Sequence, residues 1–166
     1  MDTLKKEDTG MHIKSAIGQE LLVRDVMTKG VISISKFEPV MQVADILTEK
    51  NISGLPVVDK DKKVVGIITQ ADILSMIGVS RDHTFKDLLK HMLGETLPER
   101  RIGDHVGDIM TSPAHTIKPD ANIAEAVRIM DEKRIRRLTV TDDKGVLIGI
   151  LTRADILKAV INKIRS

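Results

Sequence analysis

The sequence contains the same unit twice, and this repeat constrains the fold more than any other feature. Residues 23–77 align with residues 106–160 without a gap, and 19 of the 55 aligned pairs are identical. The heptapeptides GIITQAD and GILTRAD, which end at Asp72 and Asp155, lie 83 positions apart. A sequence repeat is typically one supersecondary unit that cannot bury its apolar face alone. We therefore expect two similar units that pack together.

Each copy has the pattern of a β-α-β-β-α unit. The segments that follow the letters MT, at 31–35 and 114–117, are short and alternate between polar and apolar residues, which predicts a first strand. An apolar stripe with helical spacing then predicts a helix. LPVVD and LTVTD predict a second strand, VVGIIT and VLIGILT a third, and the segments that begin ADIL a closing helix. The predicted fold class is α/β of the α+β type, with the first two strands of each copy parallel.

The repeat divides the chain into four segments. These are an N-terminal tail (1–18), a first repeat (19–77), an insertion without a counterpart (78–105) and a second repeat (106–166). Within the insertion, Thr84 and Asp87 have the spacing of a helix N-terminus, and Gly94 has the position of a helix stop. We expect one extra helix there, followed by a polar linker.

Composition excludes several classes of protein. Twenty-six basic and 24 acidic residues leave a formal charge of +2, so no strong field attracts nucleic acid or an anionic membrane. The absence of cysteine removes disulfides and thiolate metal sites, and suits a reducing compartment. No apolar run approaches the roughly 20 residues that a membrane helix needs. We therefore expect a cytoplasmic protein with no membrane partner.

Two explanations account for the repeated Thr-x-x-Asp. Thr69 and Thr152 stand where a strand ends and a helix begins, so each could cap its helix together with Asp72 or Asp155. Capping does not explain the glycine three residues earlier, because glycine weakens a strand unless something approaches it closely. A hydroxyl, a carboxylate and a helix N-terminus could together hold the ribose and phosphate of a nucleotide.

The ordered motifs resemble those of tandem CBS-domain proteins, also called Bateman modules. They are DVMT and DIMT, then LPVVD, then Gly-apolar-apolar-Thr-x-x-Asp, and the resemblance covers about two thirds of the chain. The resemblance implies two repeats packed through their sheets with pseudo-twofold symmetry, which leaves two clefts for AMP, ADP, ATP or S-adenosylmethionine. It also implies a homodimer. Because the motifs are those of a stand-alone CBS pair, we expect the module to regulate a separate protein in trans.

The resemblance assigns roles to individual residues. Thr69 and Asp72 would grip one ribose, Thr152 and Asp155 the other, and backbone groups near Val31 and Ala114 would meet the adenine edges.

The resemblance also predicts that the clefts differ. The positions just before the second strand hold Arg136 and Arg137 in the second repeat but Ser53 and Gly54 in the first. Because each cleft is shared, we expect the arginine pair to serve the Asp72 site as a phosphate-binding fork, whereas the Asp155 site would have Ser53. Arg153, inside the second heptapeptide, would partly compensate.

The predicted function is a regulatory module that senses adenosine-containing molecules, with no permanent cofactor, no metal and no catalysis. His83 and His91 are the candidates for an enzyme, but neither recurs and no metalloprotease, nucleophile-elbow or P-loop motif is present. A scaffold without a ligand is one alternative. Nucleic-acid binding is another, based on PERR at 98–101 and KRIRR at 133–137, but acidic neighbours dilute both clusters.

Overall fold

The computed structural model of the chain describes residues 16–76, 93–94 and 103–166. They form two compact units, one from the described residues of 32–114 and one that combines residues 16–31 with residues 115–166. We name them the Asp72 unit and the Asp155 unit, after the heptapeptide aspartate that each contains. The extra helix predicted after Thr84 lies outside the described residues.

The helices and strands follow the predicted order in the second repeat and nearly so in the first. In chain order they are α1 (Val23–Val26), α2 (Val40–Glu49), β1 (Gly54–Val58), β2 (Val64–Thr69), α3 (Gln70–Met76), α4 (Val106–Ile109), β3 (Thr116–Ile117), α5 (Ile123–Glu132), β4 (Arg137–Thr141), β5 (Leu147–Thr152) and α6 (Arg153–Arg165). None of the helices within the described ranges has the length and apolar character that a membrane span requires.

The sheets are small and match between the repeats. Strands β1 and β2 form an antiparallel hairpin, as do β4 and β5, and both hairpins shift register at the same place. Strand β3 pairs with β4 in parallel, as predicted. The first strand predicted over 31–35 was wrong in extent: only Ile34 pairs there, in a single parallel bridge to Val57. The predicted α+β fold class is confirmed.

The core of each unit contains side chains from both repeats. In the Asp155 unit, Val23 of the first repeat is fully buried among residues of the second, such as Ile123 and Leu151. In the Asp72 unit, Val106 and Ile109 of the second repeat are buried against residues of the first. The short helices α1 and α4, which the sequence patterns did not predict, therefore complete the core of the other repeat. Each compact unit therefore contains residues from both repeats, and the predicted repeat boundaries stay a prediction.

A short backbone pairing fixes each exchanged segment. Thr28 donates its N–H to Ile150 O at 2.8 Å and accepts the N–H of Ile150 at 3.0 Å. Thr111 makes the equivalent pair with Ile67, at 2.8 and 2.9 Å. Each Met-Thr segment therefore adds two hydrogen bonds to the edge of the last strand of the other repeat.

The glycine of each heptapeptide makes room for this pairing. A methyl group at Gly66 would lie 2.8 Å from Met110 Sδ and 2.9 Å from the carbonyl oxygen of Thr111. The equivalent methyl at Gly149 would lie 2.6 Å from Met27 Sδ. Glycine is required inside these strands because the chain itself approaches closely.

We predict that Gly66→Ala lowers the free energy of unfolding by about 1–3 kcal/mol, since the added methyl meets a backbone oxygen that cannot rotate away. Urea unfolding would measure the loss. The matched control is Gly18→Ala, at a helical position where the nearest atom to the new methyl is the Ala124 side chain at 3.3 Å. Alanine favours a helix over glycine, so the control should change stability by less than about 1 kcal/mol. Similar losses in the two variants would contradict this account.

Candidate functional site

Thr-x-x-Asp caps a helix in both repeats. Asp72 Oδ2 accepts the backbone N–H of Thr69 at 2.8 Å and its hydroxyl at 3.0 Å, while the Asp72 N–H reaches Thr69 Oγ1 at 3.3 Å. Asp155 Oδ2 accepts the Thr152 N–H at 3.0 Å, and Thr152 Oγ1 accepts the Asp155 N–H at 3.1 Å. The capping interpretation is confirmed in both copies, and it uses only one oxygen of each carboxylate.

The second oxygen of each carboxylate lies outside the cap, and the two copies differ there. Thr111 Oγ1 donates to Asp72 Oδ1 at 3.3 Å, which is a long hydrogen bond from a residue of the other repeat. Asp155 Oδ1 accepts no hydrogen bond from the residues that the structure describes. Both aspartates are half-buried. Each carboxylate therefore keeps acceptor capacity beyond its structural role.

The structure divides the predicted site residues between the two units. The Asp72 unit contains Thr69, Asp72, Ser53 and Ala114; the Asp155 unit contains Thr152, Asp155, Val31, Arg136, Arg137 and Arg153. Ala114 follows Thr111, which contacts Asp72, and Val31 follows Thr28, which pairs with β5. The two backbone segments were predicted to meet adenine. The segment at Ala114, from the second repeat, therefore shares a unit with Asp72, and the segment at Val31, from the first repeat, shares a unit with Asp155.

The positions before the second strand contact the start of the closing helix in the same way in both repeats. Gln70 donates its N–H to Ser53 O, and Arg153 donates its N–H to Arg136 O, each at 3.0 Å. Arg137 lies opposite Thr152 in the β4–β5 register. Arg136 is exposed and Arg137 is half-buried. Both arginines belong to the Asp155 unit, whereas Asp72 belongs to the other unit. Their contribution to the Asp72 site therefore stays a prediction.

The side chain of Arg153 folds back toward the end of α5. Its NH2 donates to Met130 O at 3.5 Å and lies 3.9 Å from Asp131 Oδ1, where both side chains are largely exposed. Exposed pairs at this distance contribute little stability. Gln70 Nε2 reaches Ile52 O at 3.4 Å in the equivalent way. The phosphate role of Arg153 stays a prediction.

Sequence reasoning missed Thr111 as a site residue. The signal was present, because the letters MT recur at Met27–Thr28 and Met110–Thr111. What the sequence alone did not indicate was that this threonine crosses to the other repeat. In the described part of the chain, no group of three or more histidine, aspartate or glutamate side chains could hold a metal ion. His83 and His91 lie outside that part.

Together the doubled fold and the doubled cap define a tandem-repeat module in which each capping aspartate belongs to a unit built from both repeats. The family profile described as "CBS domain" matches residues 23–79 and 106–162. The chain belongs to the CBS domain family.

Named relatives extend over most of the chain. An uncharacterized protein of Methanocaldococcus jannaschii is 33% identical over 159 residues, which cover 87% of this chain and 94% of that protein. Other curated relatives are longer: the chain spans 57% of the chloroplastic CBS domain-containing protein CBSX1 of Arabidopsis thaliana.

Two solved structures are similar in fold and carry ligands. The crystal structure of CBSX2 from Arabidopsis thaliana in complex with AMP is 30% identical, covers 88% of this chain and 99% of its own, and has a TM-score of 0.70. The CBS domain pair of protein MJ0100, in complex with 5′-methylthioadenosine and S-adenosyl-L-methionine, is 29% identical, covers 86% and 97%, and has a TM-score of 0.65.

Proposed function

We propose that this chain is a regulatory module that binds an adenosine-containing small molecule at Asp72 and Asp155. One observation carries the proposal: in both units, the Thr-x-x-Asp of one repeat shares a unit with the Met-Thr segment of the other. A ligand held there would contact both repeats. The AMP, 5′-methylthioadenosine and S-adenosylmethionine named for the two similar structures support an adenosine ligand.

The carboxylates supply the chemistry for a ribose. An ionised carboxylate accepts charge-assisted hydrogen bonds, which are stronger than neutral ones. Asp155 Oδ1 can accept a ribose hydroxyl while Oδ2 keeps its cap. At Asp72, the hydroxyl of Thr111 is held at only 3.3 Å, so a ribose hydroxyl can replace it at small cost. Ligand binding and helix capping are therefore compatible at both aspartates.

We propose that the two sites prefer different ligands. The arginine pair Arg136 and Arg137 would bind a phosphate at the Asp72 site, because guanidinium groups match phosphate with paired hydrogen bonds. The Asp155 site would have Ser53 at the equivalent place, which favours a ligand without a phosphate. AMP suits the first site, and S-adenosylmethionine or 5′-methylthioadenosine suits the second.

The expected affinity fits a sensor rather than a bound cofactor. A nucleotide of a few tens of heavy atoms, at about 0.3 kcal/mol per atom, binds with roughly 7 kcal/mol, which is micromolar. Occupancy then follows the ligand's concentration. A ligand shifts an equilibrium only by its different affinity for two arrangements, and contacts with both repeats supply that difference.

We also propose that the module is regulatory rather than catalytic, acts in the cytoplasm and forms a homodimer that passes its state to a partner protein in trans. The even charge balance and the lack of cysteine support the cytoplasm. Support for a dimer comes from α6, on which Leu157 is 61% and Ile164 56% exposed. Apolar side chains grouped on one helix commonly mark an interaction surface.

We predict that AMP at a hundredfold excess over its dissociation constant stabilises the protein by about 2.7 kcal/mol, which thermal unfolding would detect. Asp72→Asn with Asp155→Asn should weaken AMP binding at least about tenfold, because the charged acceptors are lost while the amide oxygens can still cap. Asp45→Asn, on the exposed face of α2, is the matched control and should bind normally. Stabilisation by none of AMP, 5′-methylthioadenosine and S-adenosylmethionine would favour a scaffold instead.

We predict that Arg136→Ala with Arg137→Ala weakens AMP at least about tenfold but leaves adenosine nearly unchanged, since only AMP has a phosphate. Isothermal titration would compare the two ligands. Arg128→Ala is the control, because this arginine pairs with Glu132 on the exposed face of α5. Equal losses for AMP and adenosine would remove the phosphate role from the pair.

A further inference from the structure

A large cavity lies in the Asp72 unit, away from the aspartate. Its volume is about 940 Å³, within the usual range for small-molecule sites. Its lining includes the hairpin end of the sheet, where Val58 pairs with Val64, whereas Thr69 pairs with Gly54 at the opposite end. Neither Thr69 nor Asp72 lines it. Its apolar wall consists of Ile34, Val43, Ile46, Val58, Val65 and Met110.

The second repeat has a smaller cavity at the equivalent place. Its volume is about 450 Å³, and all of its lining residues align with residues that line the larger cavity. Thr116, Ile117 and Lys118, for example, correspond to Ser33, Ile34 and Ser35. A cavity therefore occurs at the same place in both repeats, and the residues that differ between the two linings can be compared directly.

A lysine bridge beside the smaller cavity has no equivalent at the larger one. Lys118 Nζ donates to Asp142 O at 2.5 Å and lies 3.8 Å from Asp143 Oδ1, so it ties β3 to the turn of the β4–β5 hairpin. The first repeat has Ser35 at the position of Lys118 and Lys60 at the position of Asp143. The serine side chain is too short to bridge, and at the other end an ammonium group replaces the carboxylate that the bridge needs. The turn in the first repeat is therefore not tied across the cavity.

The same substitutions change the charge around the cavity. Lys36, Lys60 and Lys62 line the larger cavity, and their equivalents are proline, aspartate and glycine. Two carboxylates, Glu38 and Asp59, also line it, which leaves one net positive charge.

The carboxylate of Asp59 is already engaged. Its Oδ1 accepts the N–H groups of Asp61 and Lys63 in the hairpin turn, at 2.8 and 3.0 Å. The smaller cavity has one lysine and two carboxylates in its lining, so its net charge is negative. Only the cavity of the first repeat suits an anion.

We propose that the cavity of the first repeat binds a small organic anion with an aliphatic body, at a site separate from the adenosine sites. The aliphatic part packs on the wall that includes Ile34, Ile46 and Val65, where burial removes apolar surface from water. The carboxylate or phosphate head lies between Lys60 and Lys62 at the hairpin turn. Phe37 lines the cavity, is 74% exposed and has the Lys36 ammonium 5.1 Å from its ring centre, so both can cover the bound chain.

Isothermal titration of the full chain with octanoate and octyl phosphate tests the proposal, and the two arms distinguish a carboxylate from a phosphate head. Octanol and octylamine are the controls for charge. We expect one saturable site for at least one of the two anions, at least about tenfold tighter than for octanol. The proposal is overturned if neither anion saturates, or if octanol binds as tightly.

Two sets of variants locate the site. Ser35→Lys with Lys60→Asp copies the bridge of the second repeat and should weaken the anion at least about tenfold. Lys60→Ala with Lys62→Ala removes charge without rebuilding the turn and provides the same test if the first variant fails to fold. Unchanged binding in both variants would sink the proposal.

The proposal stands apart from the proposed adenosine function. The cavity variants should keep the stabilisation by AMP, and Asp72→Asn with Asp155→Asn should keep the binding of octanoate or octyl phosphate. Loss of both ligands in the same variant would show that there is one site and not two.

Discussion

The pairing of each Met-Thr segment with the last strand of the other repeat is the interaction on which the rest of the structure depends. Two backbone hydrogen bonds hold Thr28 on Ile150, and two hold Thr111 on Ile67. They bring the short helices α1 and α4 into the opposite cores, where Val23 and Val106 are fully buried. Neither core is complete without a segment from the other repeat. The glycines of the two heptapeptides permit this approach, so a packing requirement explains the first letter of the motif.

The same arrangement leaves each capping aspartate able to serve the proposed ribose site as well. One oxygen of each carboxylate caps the helix that follows, which fixes the side chain in place. The other oxygen lies outside the cap, and at Asp72 it meets a hydroxyl from the exchanged segment. A group held rigidly by a structural bond is well prepared to bind a ligand, because little side-chain entropy is lost on binding. Capping and the proposed ligand recognition are therefore compatible within one motif.

The sequence predicted much of the fold because its signals are local. Apolar periodicity indicated α2 and α5, the paired runs LPVVD with VVGIIT and LTVTD with VLIGILT indicated both hairpins, and Thr-x-x-Asp indicated the caps. It was wrong about the extent of the first strand in repeat one, where a single bridge at Ile34 replaces a run of pairs. It also linked Gly66 to a ligand, whereas Met110 and Thr111 are what approach it. Contacts between segments so far apart leave no periodic signal, so the exchange and the role of Thr111 could not be read from one sequence. The positions that differ between the repeats, such as Ser35 and Lys118, became informative only when the structure showed what each one touches.

The central claim is that the two aspartates hold the paired hydroxyls of a ribose, and a comparison of adenosine with 2′,3′-dideoxyadenosine tests it most directly. Isothermal titration would measure both ligands on the unmodified chain and on the variant with asparagine at both aspartates. The account predicts that removing the hydroxyls weakens binding at least about tenfold in the unmodified chain and hardly at all in the variant, because the partners are then already lost. Equal affinities for the two ligands in the unmodified chain would contradict it.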